Sequence, residues 1–319
     1  MLDFIKNSYP TESEFTELSI FEFEDTGRIS ELIIEDQKRN YGKGKQILIF
    51  FDEVSFLETN GITSLVTSDI YLYSTEVEPL DGDNQIEFKK RFEQLKPKLI
   101  IQDQGRLQLF EKTFSVHVSN YLIMPNASLN NFHYPLLKPR EIDLPDSHDL
   151  IILSGSLVKE HAVLDMVELF ENTFPGMFLF ISGWGNNLLS VIKERVSGFK
   201  NILLSTKFLS GAEIRWLYSK CYAGIVSYTN ESENHKHCGM SSGKMFWLCR
   251  YGKPVICNDN ISISSIIESN HLGIRAINPS SFYHLKKHYE TISSSCFKFF
   301  KDHSAKVERG LEAIFDDKS

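Results

Sequence analysis

Residues 241–259 read SSGKMFWLCRYGKPVICND, and the order of residue types in this stretch decides the architecture around it. Two hydroxyl side chains and a glycine precede Lys244, and the pattern over 244–251 is helical. Gly252 and Pro254 then mark a tight turn, and 254–257 is a short apolar run of the kind buried on both faces of a parallel sheet. A helix passing through a turn into a buried strand is half of a βαβ unit.

The alternation continues on both sides. Upstream, strands are predicted at 149–153, 177–181, 201–204 and 223–228. Helices are predicted between them at 161–173, 188–196 and 212–221, the last with Ile214, Leu217 and Tyr218 at helical spacing. Downstream come a helix at 262–269 and a strand at 273–277. The first half repeats the rhythm, with strands at 46–51, 69–73, 98–102 and 116–124, helices at 85–96 and 106–112, and an edge strand at 18–23. Buried strands alternating with helices form parallel sheets with right-handed crossovers. The expected fold class is therefore α/β, two Rossmann-like doubly wound domains facing a cleft.

Charge divides the chain in the same way. Of its 319 residues, 1–145 carry 15 Lys+Arg against 24 Asp+Glu, leaving 19 against 18 for the rest. A Pro-punctuated stretch, 133–146, reads as an extended linker. The expected domains are 1–145, 146–295 and a terminal helix, 296–319, crossing back to the first domain. The neutral second half is the better host for an anion, which the acidic half would repel. A net charge of -8 argues against a nucleic-acid binder, which needs a basic face. Five cysteines without a CxxC pair or a signal peptide point to a reducing cytoplasm. No run of about 18 apolar residues exists to span a membrane. Contact with the inner membrane face would fall to Phe88, Phe92 and Leu95 among Lys89, Lys90, Arg91 and Lys96, whose plainer reading is a core stripe with a solvated side.

Ligands of parallel α/β sheets bind beyond the carboxyl ends of the strands. That rule selects 154–156, 182–185, 228–243 and 258–262 as the rim, including Ser156, Gly183 and Tyr228. Within the rim, Ser241, Ser242, Gly243 and Lys244 open a helix. Its free N–H groups, dipole, hydroxyls and ammonium suit a phosphate. The plainer alternative is a serine N-cap on an ordinary helix.

The ordered series resembles the donor domain of GT-B glycosyltransferases. Residues 241–259 resemble their nucleotide-binding signature, Ile152-Leu-Ser-Gly-Ser-Leu157 their first donor-domain strand and Gly-x-Leu turn, and 177–185 their second strand and Gly-rich turn. Residues 209–226 match the segment before the signature, so the likeness covers about 150–278. Both glutamates that commonly flank the signature helix are missing, at about Gly239 and Trp247. The arginine of the first turn is Ser156, and the following Lys-Gly falls on His161-Ala162, leaving Lys159 as the stand-in cation. This marks a divergent branch.

The resemblance implies a metal-independent glycosyltransferase that moves a sugar from a nucleotide donor, a UDP-sugar by preference, to a glycan, glycolipid or protein acceptor. No separate cofactor is implied. Donor binding falls to Ser156, Lys159, Gly183, Phe208, Leu209, Tyr228, Ser241, Ser242, Gly243 and Lys244, with 206–209 the place where the family holds the base. Lys244 would also act in catalysis, stabilising charge on the leaving phosphate. Asp103, at the end of the KLIIQD strand, is the candidate acceptor base; its plainer role is a helix cap. His117 and Asp52 are weaker candidates of the same kind. His235, His237 and Cys238 lack a second ligand pair for zinc, and Asp81-Gly-Asp83 lies in the wrong half for a donor metal. The alternatives are a nucleotide-sugar epimerase of the same fold or a non-catalytic GT-B-like subunit.

Overall fold

A computed structural model describes residues 47–58, 69–140, 142, 144, 149–174, 176–185, 188–205, 207–275 and 279–315. The strand expected at 18–23 and Thr206 lie outside the described residues. The chain divides into two compact units, Met1–Ile123 and Met124–Ser319.

In the first unit, β1 (Ile47–Phe51), β2 (Asp69–Tyr73), β3 (Lys98–Ile101) and β4 (Tyr121–Ile123) form a parallel sheet in that order. Of the strand expected at 116–124, only Tyr121–Ile123 pairs, opposite Leu99–Ile101 of β3. Helices α1 (Asp52–Glu58), α2 (Gly82–Leu95) and α3 (Gln104–Phe114) pack through aromatic side chains. Phe88 is the hub, with its ring centroid 4.5 Å from Phe114, 5.6 Å from Phe56 and 6.0 Å from Phe110, all fully buried. The phenylalanine stripe on α2 thus belongs to the core, and Arg91 joins it, its guanidinium 5.3 Å from the Phe56 ring centre and bonded to the Leu57 carbonyl at 2.9 Å.

In the second unit, β5 (Leu150–Ser156), β6 (Phe178–Trp184), β7 (Ile202–Ser205), β8 (Ala223–Val226), β9 (Val255–Cys257) and β10 (Gly273–Arg275) form a parallel sheet ordered β10-β9-β8-β5-β6-β7. The order reverses between β5 and β8, so this unit is doubly wound and its switch point lies there. Its helices are α4 (Val163–Thr173), α5 (Leu189–Val196), α6 (Gly211–Lys220), α7 (Glu233–Lys236), α8 (Gly243–Arg250), α9 (Ile261–Ser269), α10 (Pro279–Lys287) and α11 (Tyr289–Phe315). Ser210 and Glu213 form a reciprocal capping box at the start of α6.

Two glycines and one arginine position the carboxyl edge. A Cβ on Gly224 of β8 would lie 2.4 Å from the Leu248 methyl carbons, so the missing side chain lets α8 sit directly on the strand. A Cβ on Gly183 of β6 would lie 1.8 Å from the Gly155 carbonyl oxygen, so no other residue permits this approach of β6 to β5. Arg250, at the end of α8, donates to the Ser128 hydroxyl at 3.1 Å and to the carbonyls of Leu129 (2.6 Å), Asn130 (3.3 Å) and Phe132 (2.8 Å). Its guanidinium also lies 4.9, 5.7 and 5.1 Å from the ring centres of Tyr134, Trp247 and Phe300. The segment 128–134, which leads into the stretch that reads as a linker, is thereby fastened to the second unit.

The terminal helix is longer than predicted, starting at Tyr289, and it packs on α8 with Phe299 stacked on Phe246 at 5.7 Å. No described helix is long and apolar enough to cross a membrane.

Candidate functional site

The site is built at the switch point. The Lys244 side chain runs back from the first turn of α8 over the end of β5, 4.9 Å from its Nζ to the centre of the Tyr228 ring. Gly155 lies against it: a Cβ there would make only ordinary contact with Nζ at 3.5 Å, and what calls for glycine is the backbone φ of +113°, which L side chains rarely adopt. Tyr228 follows β8, and its hydroxyl hydrogen-bonds Ser242 Oγ at 3.2 Å. Because Ser242 points at Tyr228, it makes no side-chain cap on α8. Ser241 Oγ is likewise turned away, donating to the Cys238 carbonyl at 2.9 Å. The first N–H groups of α8 are thus left to an external anion instead of an N-cap oxygen.

The loops after β5 and β8 are stitched together around this lysine. Ser227 Oγ donates to the His161 carbonyl at 2.6 Å, and the Thr229 N–H to the Glu160 carbonyl at 2.7 Å. Asn258 clasps Tyr228 from β9, accepting from its N–H at 3.3 Å and donating to its carbonyl at 2.9 Å. The His161 ring meets the Tyr228 ring edge-on at 5.1 Å, and His235 stacks on Tyr228 at 5.9 Å. Fully buried Asn260 organises the loop behind, accepting from the Ile263 N–H at 3.0 Å and donating to the His235 carbonyl at 2.9 Å.

Burial pulls the Lys244 ammonium down to about 8, with Cys238 opposing the shift, and no carboxylate among the described residues acts on it. His161 is pushed down to about 4, by burial first and then by the charge of Lys244. The imidazole is therefore neutral at pH 7, and its Nδ1–H donates to the Ser156 carbonyl at 2.7 Å. A half-buried ammonium beside an uncapped helix start and a neutral histidine favours a compact anion such as a phosphate.

The structure brings together Gly155, Ser156, Tyr228, Ser242, Gly243 and Lys244 of the residues singled out from the sequence. Leu209 is buried, while Phe208 is 76% exposed and lies against Trp184. Lys159 is exposed and forms a surface ion pair with Glu231 at 3.0 Å. His235 hydrogen-bonds Ser232 through Nδ1 at 2.7 Å, and Cys238 is buried toward Asn260. His161 was not singled out as a site residue, although its position just beyond a Gly-Ser strand end was the signal that would have found it. Among the described residues no group of three His, Cys, Asp or Glu could hold a metal ion.

In the first unit, Asp103 caps α3, its Oδ1 accepting from the Arg106 N–H at 2.8 Å. Losing that cap in Asp103→Ala is expected to destabilise the unit by about 1 kcal/mol, whereas Asp103→Asn keeps it. Hydrogen exchange of α3 amides checks this. An Asn variant of normal stability that has lost turnover would instead favour the role as base.

No family model and no curated protein sequence matches the chain. Solved structures do. The pneumococcal O-GlcNAc transferase GtfA, in complex with UDP and GlcNAc, superposes with a TM-score of 0.58 at 13% identity, over 89% of this chain and 60% of that one. Anabaena Alr3699/HepE, in complex with UDP and glucose, gives 0.64 at 11% identity, over 93% and 85%. TarM gives 0.54 at 13% identity, over 85% and 55%, so the chain spans little more than half the length of TarM and GtfA. Likeness at these identities shows the fold alone: parallel α/β sheets, consistent with the GT-B glycosyltransferase structures.

Proposed function

We propose that the chain is a glycosyltransferase that binds a nucleotide-sugar, a UDP-sugar by preference, and passes the sugar to a glycan, glycolipid or protein acceptor without a metal ion. The observation that carries this reading is the ammonium of Lys244, with no carboxylate acting on it among the described residues, at the uncapped start of α8 and on the switch point of the doubly wound sheet. The UDP complexes of GtfA and HepE, which share the fold, support it.

In such a transfer the bond between the anomeric carbon and the β-phosphate oxygen breaks, and its electron pair leaves with the nucleoside diphosphate. Lys244 Nζ and the α8 N–H groups would take up that charge, the role a divalent ion plays elsewhere. His161, neutral and bonded to the Ser156 carbonyl, would hold the loop at Gly155 in place. Trp247, at the position of one missing glutamate, lies between Arg215 and Arg250, 5.4 and 5.7 Å from its ring centre. That replacement favours a non-catalytic subunit as the second reading.

A melting-temperature screen with UDP, other nucleoside diphosphates and pyrophosphate in excess EDTA tests the proposal. Stabilisation of about 2.7 kcal/mol is expected at a ligand concentration 100 times its dissociation constant. Stabilisation that appears only with added manganese would overturn the metal-free reading. Slow hydrolysis of a UDP-sugar by the protein then separates the enzyme from the subunit.

A further inference from the structure

Leu136 and Leu137 stand 42% and 56% exposed in the stretch Tyr134-Pro-Leu-Leu-Lys-Pro-Arg140. A single exposed leucine is ordinary, but two in succession on a backbone that is held in place form an apolar spot. This backbone is held at three points. The Pro135 carbonyl accepts from Arg215 Nε at 3.3 Å, the Leu137 N–H donates to the Ala212 carbonyl at 3.2 Å, and the Arg140 carbonyl accepts from Lys207 Nζ at 3.5 Å. Pro139 is buried, and the prolines at 135 and 139 favour extended backbone before them. The loop therefore presents its leucines instead of folding them in.

Its surroundings are cationic. Lys138 and Arg140 are exposed, with Lys138 Nζ 6.0 Å from the Trp216 ring centre and the Arg215 guanidinium 5.6 Å from that of Tyr134. Among the described residues, the acid that these contacts reach is Glu213. Its carboxylate is taken up by Ser210 in the capping box, and Lys207 and Arg140 act on it. Helix α2, which also mixes lysines with apolar residues, differs on both counts. Its Phe88 and Phe92 are buried, and Lys89 and Lys90 pair with Glu93 and Glu87.

We propose that residues 134–140, with Arg215 of α6 beside them, dock on an anionic lipid surface. Leu136 and Leu137 enter the headgroup boundary, and Lys138, Arg140 and Arg215 lie among the lipid phosphates. A lipid layer asks for no matching groove, takes apolar side chains beneath a cationic collar, and holds tyrosine and tryptophan rings at headgroup level, as Tyr134 and Trp216 would be. The whole chain carries a net charge of -8, so attraction is confined to this face, within a screening length of it. Docking here is independent of the nucleotide reading, and UDP binding serves as the control.

Sedimentation of the full chain with vesicles of phosphatidylcholine, alone or with about one-third phosphatidylglycerol, reads the contact directly. Binding is expected to the mixed vesicles only, and to be lost toward about 1 M salt, where the screening length falls to about 3 Å. Each cation near such a surface is worth about fivefold in affinity, so Lys138→Gln with Arg140→Gln should weaken binding about 25-fold. Leu136→Ser with Leu137→Ser should weaken it by about 10-fold or more. Both double variants keep the wild-type melting temperature and UDP binding, because the altered side chains are exposed. Absence of binding to either vesicle, or binding that the leucine changes leave untouched, would overturn the docking. Capture of polyglutamate in place of vesicles would give the face to an acidic protein partner and overturn it as well. A chain that binds the mixed vesicles as expected but no UDP would sink the donor reading alone.

Discussion

Lys244→Met is expected to melt at a higher temperature than the wild type while binding a nucleoside diphosphate 10- to 100-fold more weakly. The two effects share one cause. Burial lowers the ammonium to about 8, so in the unliganded chain its charge costs stability at neutral pH, on the order of 3 kcal/mol from the shift alone. A cation in the first turn of α8 also opposes the helix dipole. Methionine keeps the length and removes the charge, so part of that cost is recovered as a rise of several degrees. A bound diphosphate reverses the balance, because a charge-assisted contact is worth about 1.5–3 kcal/mol. Sign and pH follow from the same shift. The folded lysine is depressed, so the empty protein gains stability as pH rises from about 8 toward the unfolded value, and diphosphate binding above pH 8 takes up a proton. Calorimetry at pH 8.5 in two buffers of different ionisation enthalpy measures that proton. A methionine variant that is more stable yet binds UDP normally would remove Lys244 from the diphosphate site.

A second large effect is expected in the first unit. Glu53 is buried in the first turn of α1, its Oε1 accepting from Ser74 Oγ at 2.5 Å, and desolvation pushes its carboxyl up to about 7. Asp52 beside it raises the value further, while Arg106 and the Ser74 hydrogen bond oppose the shift. A carboxyl raised in the folded state holds a proton that the unfolded chain has already released. Its stabilising effect is full below about pH 4.5 and is lost as pH rises through 7, a change on the order of 3 kcal/mol. Glu53→Gln keeps an acceptor for Ser74 and cannot ionise, so it should be more stable than wild type at pH 8 and nearly equal at pH 5. Hydrogen exchange of β2 and β3 amides, corrected for intrinsic rates, reads this locally without assuming one transition for two units. A wild-type profile as flat as that of the variant would show that Glu53 is ionised in place.

The strands and their order along the chain were legible because short apolar runs alternate with amphipathic segments, and β2 falls where its pattern predicts, at Asp69–Tyr73. The phosphate-suited start of α8 was legible from Ser241-Ser-Gly-Lys244. Other features depend on partners distant in sequence. Helix α1 was missed because ILIFFDEVSF runs from strand to helix without punctuation, the break being made by Asp52 at φ +67°. Helix α10 was missed because only Phe282 and Leu285 of its nine residues are buried. Lys159 reads from sequence as a site cation, and its ion pair with Glu231, 72 positions away, could only be seen in the fold. Composition is equally silent about the lack of a counter-charge on Lys244 among the described residues, since an absent acid is a property of the folded surroundings.

The grip of Arg250 on residues 128–132 has a practical corollary for anyone cutting the gene. A donor fragment trimmed at residue 146, where the prolines suggest a natural seam, would discard Ser128 and every carbonyl that this guanidinium binds. It would also remove the Pro135 carbonyl from Arg215 and the Leu137 N–H from the Ala212 carbonyl. The Arg250 donors are half-buried and the Arg215 one exposed, so each lost bond costs about 0.5–1.5 kcal/mol, together a sizeable share of a domain's stability. A fragment begun at Met124 retains all of these contacts, so two clones differing by 22 codons should differ between soluble protein and inclusion bodies.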